Sequence, residues 1–149
     1  MNHLILIPSY KPDTKLFKLI EQFLQYDDVE VLIVNNGNDN SYDHFFGKLS
    51  SLKRCSILDV SINYGKGYGI KQGIKHIKEK YNHVNYIIFA DADGQHTYDD
   101  IGIFLKKIKF LNHNFFLIGN RIHTLKTPLK NYLGNKIYNY ILKIKYNFL

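Results

Sequence analysis

Short apolar runs and helical stripes alternate along the chain. His3 to Ile7 reads as a buried strand, and Leu16, Phe17, Ile20, Phe23 and Leu24 then recur at helical spacing behind Asp13, a suitable N-cap. Val29 to Val34 predicts a second strand, Tyr42, Phe45, Phe46, Leu49 and Leu52 a second helix, and Ser56 to Ile62 a third strand. Ile70, Ile74, Ile77 and Tyr81 form the next helical face, followed by a strand over Val84 to Ala90. Ile101, Phe104, Leu105, Ile108 and Leu111 mark a fourth helix, capped by Thr97, and Phe115 to Ile118 a fifth strand. The pattern closes on an amphipathic stretch from Pro128 to Leu149, where Leu129, Leu133, Ile137, Ile141 and Ile144 are flanked by Lys130, Lys136 and Lys143.

Strand and helix alternating in this way predict an α/β fold with right-handed crossovers and a mainly parallel, doubly wound sheet. Ligands of such sheets bind beyond the carboxyl ends of the strands. The segments Pro8-Ser9-Tyr10, Asn35-Asn36-Gly37, Asn63-Tyr64-Gly65, Asp91-Ala92-Asp93 and Gly119-Asn120-Arg121 each follow a strand and are therefore expected to converge on one edge. A length of 149 residues with 45% hydrophobic positions suits one domain, residues 1–149, with no linker and no internal repeat.

Composition narrows the partners. Twenty Lys and Arg against thirteen Asp and Glu give a net charge of +7, which favours an anionic partner, whether a nucleoside diphosphate, a phospholipid surface, a lipid phosphate or nucleic acid, and charge does not choose among them. The abundance of Lys, Asn, Ile and Tyr looks like mutational bias, so part of that balance carries no functional meaning. The single Cys55 excludes an internal disulfide, and the histidines have no partner at zinc-ligand spacing, so a reducing, cytoplasmic setting is expected. No apolar run approaches the roughly 18 residues of a membrane helix, and the first residues have no signal-peptide pattern.

Asp91-Ala92-Asp93-Gly94-Gln95-His96 puts two carboxylates and an amide at the end of a strand. Oxygen-rich clusters of this kind suit Mg²⁺ or Mn²⁺, which keep positions open for substrate phosphates. A plain surface turn ahead of the helix capped by Thr97 is the competing reading of the same residues. Gly65-Lys66-Gly67-Tyr68-Gly69-Ile70 is not a dinucleotide fingerprint, because Ile70 takes the place of the last glycine and the motif follows the third strand. There is no P-loop run. A phosphatase with Asp91 as nucleophile is a second enzyme class, but the acidic residues after Asp93 are only Asp99 and Asp100.

Taken in order, Ile7-Pro8-Ser9-Tyr10, Ile33-Val34-Asn35-Asn36-Gly37, Asn63-Tyr64-Gly65-Lys66-Gly67, the acidic triplet and Gly119-Asn120-Arg121 resemble the inverting glycosyltransferase family 2. Within it the likeness is to the branch like dolichol-phosphate mannose synthase, which transfers a sugar to a polyprenyl phosphate. It covers about residues 3–143. The resemblance implies a GT-A, Rossmann-like fold of the nucleotide-diphospho-sugar transferase type. It implies a nucleoside-diphosphate sugar as donor, a polyprenyl phosphate or saccharide as acceptor, no nucleic-acid partner, and Mg²⁺ or Mn²⁺ as cofactor. On the matching positions, Asp91, Asp93 and Gln95 are the implied metal ligands, and Asp93 and Arg121 the implied catalytic residues. Pro8, Tyr10, Asn35, Asn36, Asn63, Lys66 and Asp91 are the implied donor-binding set.

The departures from that pattern are specific. Asn35-Asn36 stands where relatives usually carry an acidic pair, Lys11 replaces an asparagine, and Tyr98 stands near the place of a proline. Family members normally continue past the position of Leu149 with a segment that holds the acceptor, so the expectation is a donor-binding domain with that segment missing. A non-catalytic nucleotide-sugar-binding module is the alternative. The amphipathic stretch Pro128 to Leu149 is expected to pack on the domain's own sheet or to make peripheral contact with the cytoplasmic face of an anionic membrane.

Overall fold

An apolar run without polar alternation requires cover on both of its faces. In the computed structural model the first strand, β1 (His3–Ser9), is buried at each of its seven positions. The structure describes residues 2–111 and Leu117. The chain divides into two compact units, Met1–Leu111 and Asn112–Leu149, and the elements that follow belong to the first. After β1 come α1 (Thr14–Phe23), β2 (Val29–Asn36), a 3-10 turn (Asn40–Tyr42), α2 (Asp43–Ser50), β3 (Cys55–Val60), α3 (Lys66–Lys80), β4 (Tyr86–Phe89) and α4 (Tyr98–Ile108).

The strands form a four-stranded parallel sheet in the order β3-β2-β1-β4, with Ile7 opposite Ile33 and Leu6 opposite Phe89. From β1 to β3 the chain steps outward in one direction, and from β3 to β4 it crosses back over the whole sheet. Right-handed connections in both directions put α1 and α2 on one face and α3 on the other. Leu4, Leu6, Leu32, Val34 and Ile77 are the buried heart of the α3 side. Ile5, Ile7, Val31 and Ile33, alternating with them along the strands, are buried toward the opposite face. The expected doubly wound sheet is thus present, and its switch point lies between β1 and β4.

Both predicted caps form: the Asp13 side chain accepts from Lys15 N, and Thr97 makes a capping box with Asp100. Of the expected α3 stripe, Ile77 is buried in the core with Ile74 and Tyr81 packed against it, while Ile70 is half-buried outside that cluster; the line of closest approach to the sheet runs through Gly69 and Gly73. A Cβ on Gly73 would stand 2.6 Å from Leu6 Cδ1 and 3.1 Å from Val34 Cγ2, so α3 lies on the sheet at a distance only glycine permits. Apolar periodicity overlooks such a stripe because its key residues have no side chain.

The third strand stops at Val60, two residues short of Ile62, which is 56% exposed. The fourth starts at Tyr86 and not Val84, whose N–H closes a turn onto Tyr81 O. Opposite the cleft-bearing edge, Arg54 at φ 67 donates from its guanidinium to the carbonyls of Leu24, Tyr26, Asp27 and Val29 and ties the α1–β2 connection together. Burial pushes the Cys55 thiol up to about 12, leaving it protonated and inert. Among the described residues no helix is long and apolar enough to cross a membrane. The fifth strand expected over Phe115 to Ile118, the segment Gly119-Asn120-Arg121 and the stretch Pro128 to Leu149 lie outside the described elements.

Candidate functional site

At the switch point, the loops leaving β1 and β4 diverge and open a cleft of about 500 Å³. Its walls are Pro8 and Ser9 at the end of β1, Tyr10 to Asp13 after it, Asn36 at the end of β2, Asn63 and Gly65 ahead of α3, Lys66 at its start, and Asp91, Ala92 and Asp93 after β4. Loops far apart in sequence meet here because a parallel sheet delivers every strand's carboxyl end to the same edge. Of the predicted site residues, Pro8, Tyr10, Asn36, Asn63, Lys66, Asp91 and Asp93 are brought together. Asn35 and Gln95 are not in the cleft walls. Arg121 lies outside the described residues.

The floor is a network of amides. Asn36 is 2% exposed. Its Nδ2 donates to Asn63 Oδ1 and to Gly65 O, both at 3.1 Å, while Asn63 Oδ1 also accepts from Gly65 N at 2.8 Å. With both amide protons committed, the Asn36 Oδ1 remains buried without a partner among the described residues, as does the Ser9 Oγ. An unsatisfied buried oxygen is costly, on the order of 1–3 kcal/mol. Gly69 makes room for this arrangement, since a Cβ there would press on Asn36 Oδ1 at 3.1 Å.

Asn35 faces the other way. Its Nδ2 donates to Asp59 Oδ1 at 2.8 Å and its Oδ1 accepts from Asn38 Nδ2 at 2.7 Å. Asn38 in turn donates to Ser9 O and accepts from Lys11 N at 2.6 Å. This relay fixes the β1 loop from behind and holds Lys11 at φ 48, an uncommon conformation for a residue with a side chain. Lys11 Nζ stands 5.4 Å from the centre of the Tyr10 ring, and that ring is 49% exposed at the cleft rim. Strand alternation gives the reason for the split: successive residues point to opposite faces, so only one amide of an Asn-Asn pair can enter the cleft.

On the far wall, Asp93 Oδ1 accepts from Gln95 N at 2.9 Å, and Gly94 follows at φ 75. The acidic triplet therefore does form the turn that leads into α4 while Asp91 and Asp93 line the cleft. Lys66 Nζ is paired with Asp91 Oδ1 across the gap between α3 and β4. Tyr98, the departure noted above, stacks on Tyr26 with ring centroids 4.3 Å apart, and Tyr26 donates from its hydroxyl to Tyr98 O. A second cavity of about 420 Å³ lies between this tyrosine pair, Asp28 and the α4 residues Gly102 and Lys106.

Sequence reading did not single out Lys11, Pro12 and Asp13 as lining residues. Their signal was position alone, since each falls inside or beside a loop already expected at the edge. Residues 5–148, a span that includes the cleft loops, match Glycosyl transferase family 2. The chain belongs to this family. Among its relatives is a dolichyl-phosphate beta-glucosyltransferase of Trichomonas vaginalis, 26% identical over 147 residues, spanning 87% of this chain and 44% of the relative. Another is the dolichyl-phosphate beta-glucosyltransferase of Saccharomyces cerevisiae, 26% identical over 109 residues, spanning 65% of this chain and 31% of the relative. The chain thus spans less than half the length of these family 2 relatives. The structure superposes on S. aureus TarS with a TM-score of 0.51 at 15% identity, covering 72% of this chain and 20% of TarS. The fold is of the GT-A type.

Proposed function

We propose that the cleft binds the nucleoside-diphosphate sugar of a glycosyltransferase whose acceptor is a polyprenyl phosphate. The observation that carries the reading is the convergence of Pro8, Tyr10, Asn36, Asn63, Lys66, Asp91 and Asp93 on one cleft at the switch point. The names of the curated relatives, both dolichyl-phosphate glucosyltransferases, support the acceptor class. In this reading the exposed face of Tyr10 stacks on the base, above the amide floor that the buried Asn36 holds together. Lys66 and the acidic triplet face the diphosphate.

The residues fit a divalent cation shared with the substrate. Among the described residues no group of three or more His, Cys, Asp or Glu is placed to hold a metal. Two carboxylates are nevertheless the usual protein share of a Mg²⁺ site completed by substrate phosphates. Charge points the same way. Asp13 is paired with Lys15, which leaves Lys11 and Lys66 against Asp91 and Asp93 in the cleft walls, so a diphosphate would add uncompensated negative charge there. Asp91 and Asp93 would hold the ion, whose chemistry when bound is to neutralise charge growing on the leaving diphosphate. An attacking phosphate monoester is largely ionised near pH 7, with its second pKa at about 6, and needs little help from a general base.

The acceptor class has its own test. The protein is given a radiolabelled nucleotide sugar with Mn²⁺ and either a polyprenyl phosphate or a saccharide. Label is expected in the lipid fraction, and label found in the saccharide alone rejects the lipid acceptor.

A further inference from the structure

We propose that Lys66 is an exchangeable counter-cation, holding Asp91 until a divalent ion arrives and then turning to the diphosphate that the ion accompanies. The inference rests on the reading of the cleft as a shared metal and diphosphate site, and adds a role for one side chain in the order of binding. Lys66 Nζ is paired with Asp91 Oδ1, yet the two side chains are 59% and 44% exposed. A pair so open to water is weakly held and separates at little cost. Lys66 is also the first residue of α3, between Gly65 and Gly67, and nothing stands within 4 Å of a Cβ placed at either glycine. Its side chain has room to swing.

The other charges of the cleft make the exchange selective. Asp13 has its own cation, Lys15, whose Nζ lies 3.6 Å from Asp13 Oδ2. Asp93 has one oxygen engaged by the backbone N–H of Gln95. The ammonium of Lys66 therefore sits on one of the two carboxylates a metal would use. A divalent ion alone must displace it and gains only two carboxylates in return. A divalent ion arriving with a diphosphate gains phosphate oxygens as well, and the displaced ammonium gains a phosphate partner. Lys66 thus opposes the first event and favours the second, and by linkage it strengthens the coupling between the two ligands.

The test follows free Mn²⁺ by its paramagnetic resonance, a readout independent of turnover, in the whole protein and in Lys66→Met, a neutral side chain of similar reach. Without nucleotide, the variant is expected to bind Mn²⁺ roughly three- to tenfold more tightly, the range set by loss of an exposed pair and of a neighbouring like charge. With Mn²⁺ saturating, its affinity for a nucleoside diphosphate is expected to fall about tenfold, the scale of one charge-assisted hydrogen bond. Lys66→Arg, which keeps the charge, should behave as the parent in Mn²⁺ alone, and an unchanged melting midpoint in both variants excludes a folding effect. Unaltered or weaker Mn²⁺ binding by folded Lys66→Met overturns the exchange. Absence of Mn²⁺ uptake by parent and variant even with nucleoside diphosphate present overturns the metal reading beneath it.

Discussion

Gly37→Ala is expected to destabilise the domain by about 2–5 kcal/mol, combining a left-handed backbone penalty with overpacking, and to abolish nucleotide binding in whatever fraction stays folded. Gly37 has φ 71, and a Cβ there would meet Asn63 N and, at 2.8 Å, Ile62 C. Both are backbone atoms of the loop that leads into α3, so neither can rotate aside. That loop carries Asn63, whose Oδ1 receives Asn36 Nδ2 and Gly65 N. One methyl group thus displaces the amide floor as well as straining its own turn. A domain with total stability on the order of 5–15 kcal/mol keeps little margin after such a loss. Denaturant unfolding checks the magnitude. Gly37→Asn separates the two causes, because asparagine tolerates positive φ but still carries a Cβ. It should recover the backbone part only and stay about 1–3 kcal/mol less stable than the parent; recovery of the parent midpoint would show that φ alone matters and that the loops are not in tight contact.

Asp93→Asn and Asp91→Asn are expected to weaken Mn²⁺-dependent nucleoside diphosphate binding by at least about a hundredfold, as loss of one of two anionic ligands to a divalent ion implies. Folding should be largely unaffected. The asparagine at position 93 is the sharper substitution, because its Oδ1 still accepts from Gln95 N and preserves the turn that Asp93 makes. Asp93→Ala removes turn and charge together. Calorimetric titration with Mn²⁺ and a nucleoside diphosphate reads the effect, and undiminished affinity in folded Asp93→Asn would remove that carboxylate from the site.

Much of this architecture was legible in residue order. Leu4 to Ile7 and Val31 to Val34 are apolar at consecutive positions, and burial on both faces of a parallel sheet follows from that alone. In a parallel sheet the loops after the strands share an edge, so residue order alone groups Tyr10, Asn63, Lys66 and Asp93, and one cleft holds all four. What sequence did not carry was side-chain direction and close approach. The Asn35-Asn36 pair looked uniform, yet the pleat sends Asn36 into the cleft and Asn35 toward Asp59 and Asn38. The packing line of α3 passes through Gly69 and Gly73, which leave no hydrophobic trace. The Lys66–Asp91 pair joins residues from different loops, and Arg54 acts on four carbonyls, contacts that no local spacing encodes.

The central claim is that the cleft between the β1 and β4 loops is where the nucleoside diphosphate binds. Amide hydrogen exchange, followed with and without a nucleoside diphosphate and Mn²⁺, maps that contact directly along the chain. Slowed exchange is predicted together in residues 9–13, 35–39, 63–67 and 91–95, with the region of Tyr26 and Tyr98 unchanged. Protection confined to the second cavity beside those tyrosines, or no change in the cleft loops at saturating ligand, would contradict it.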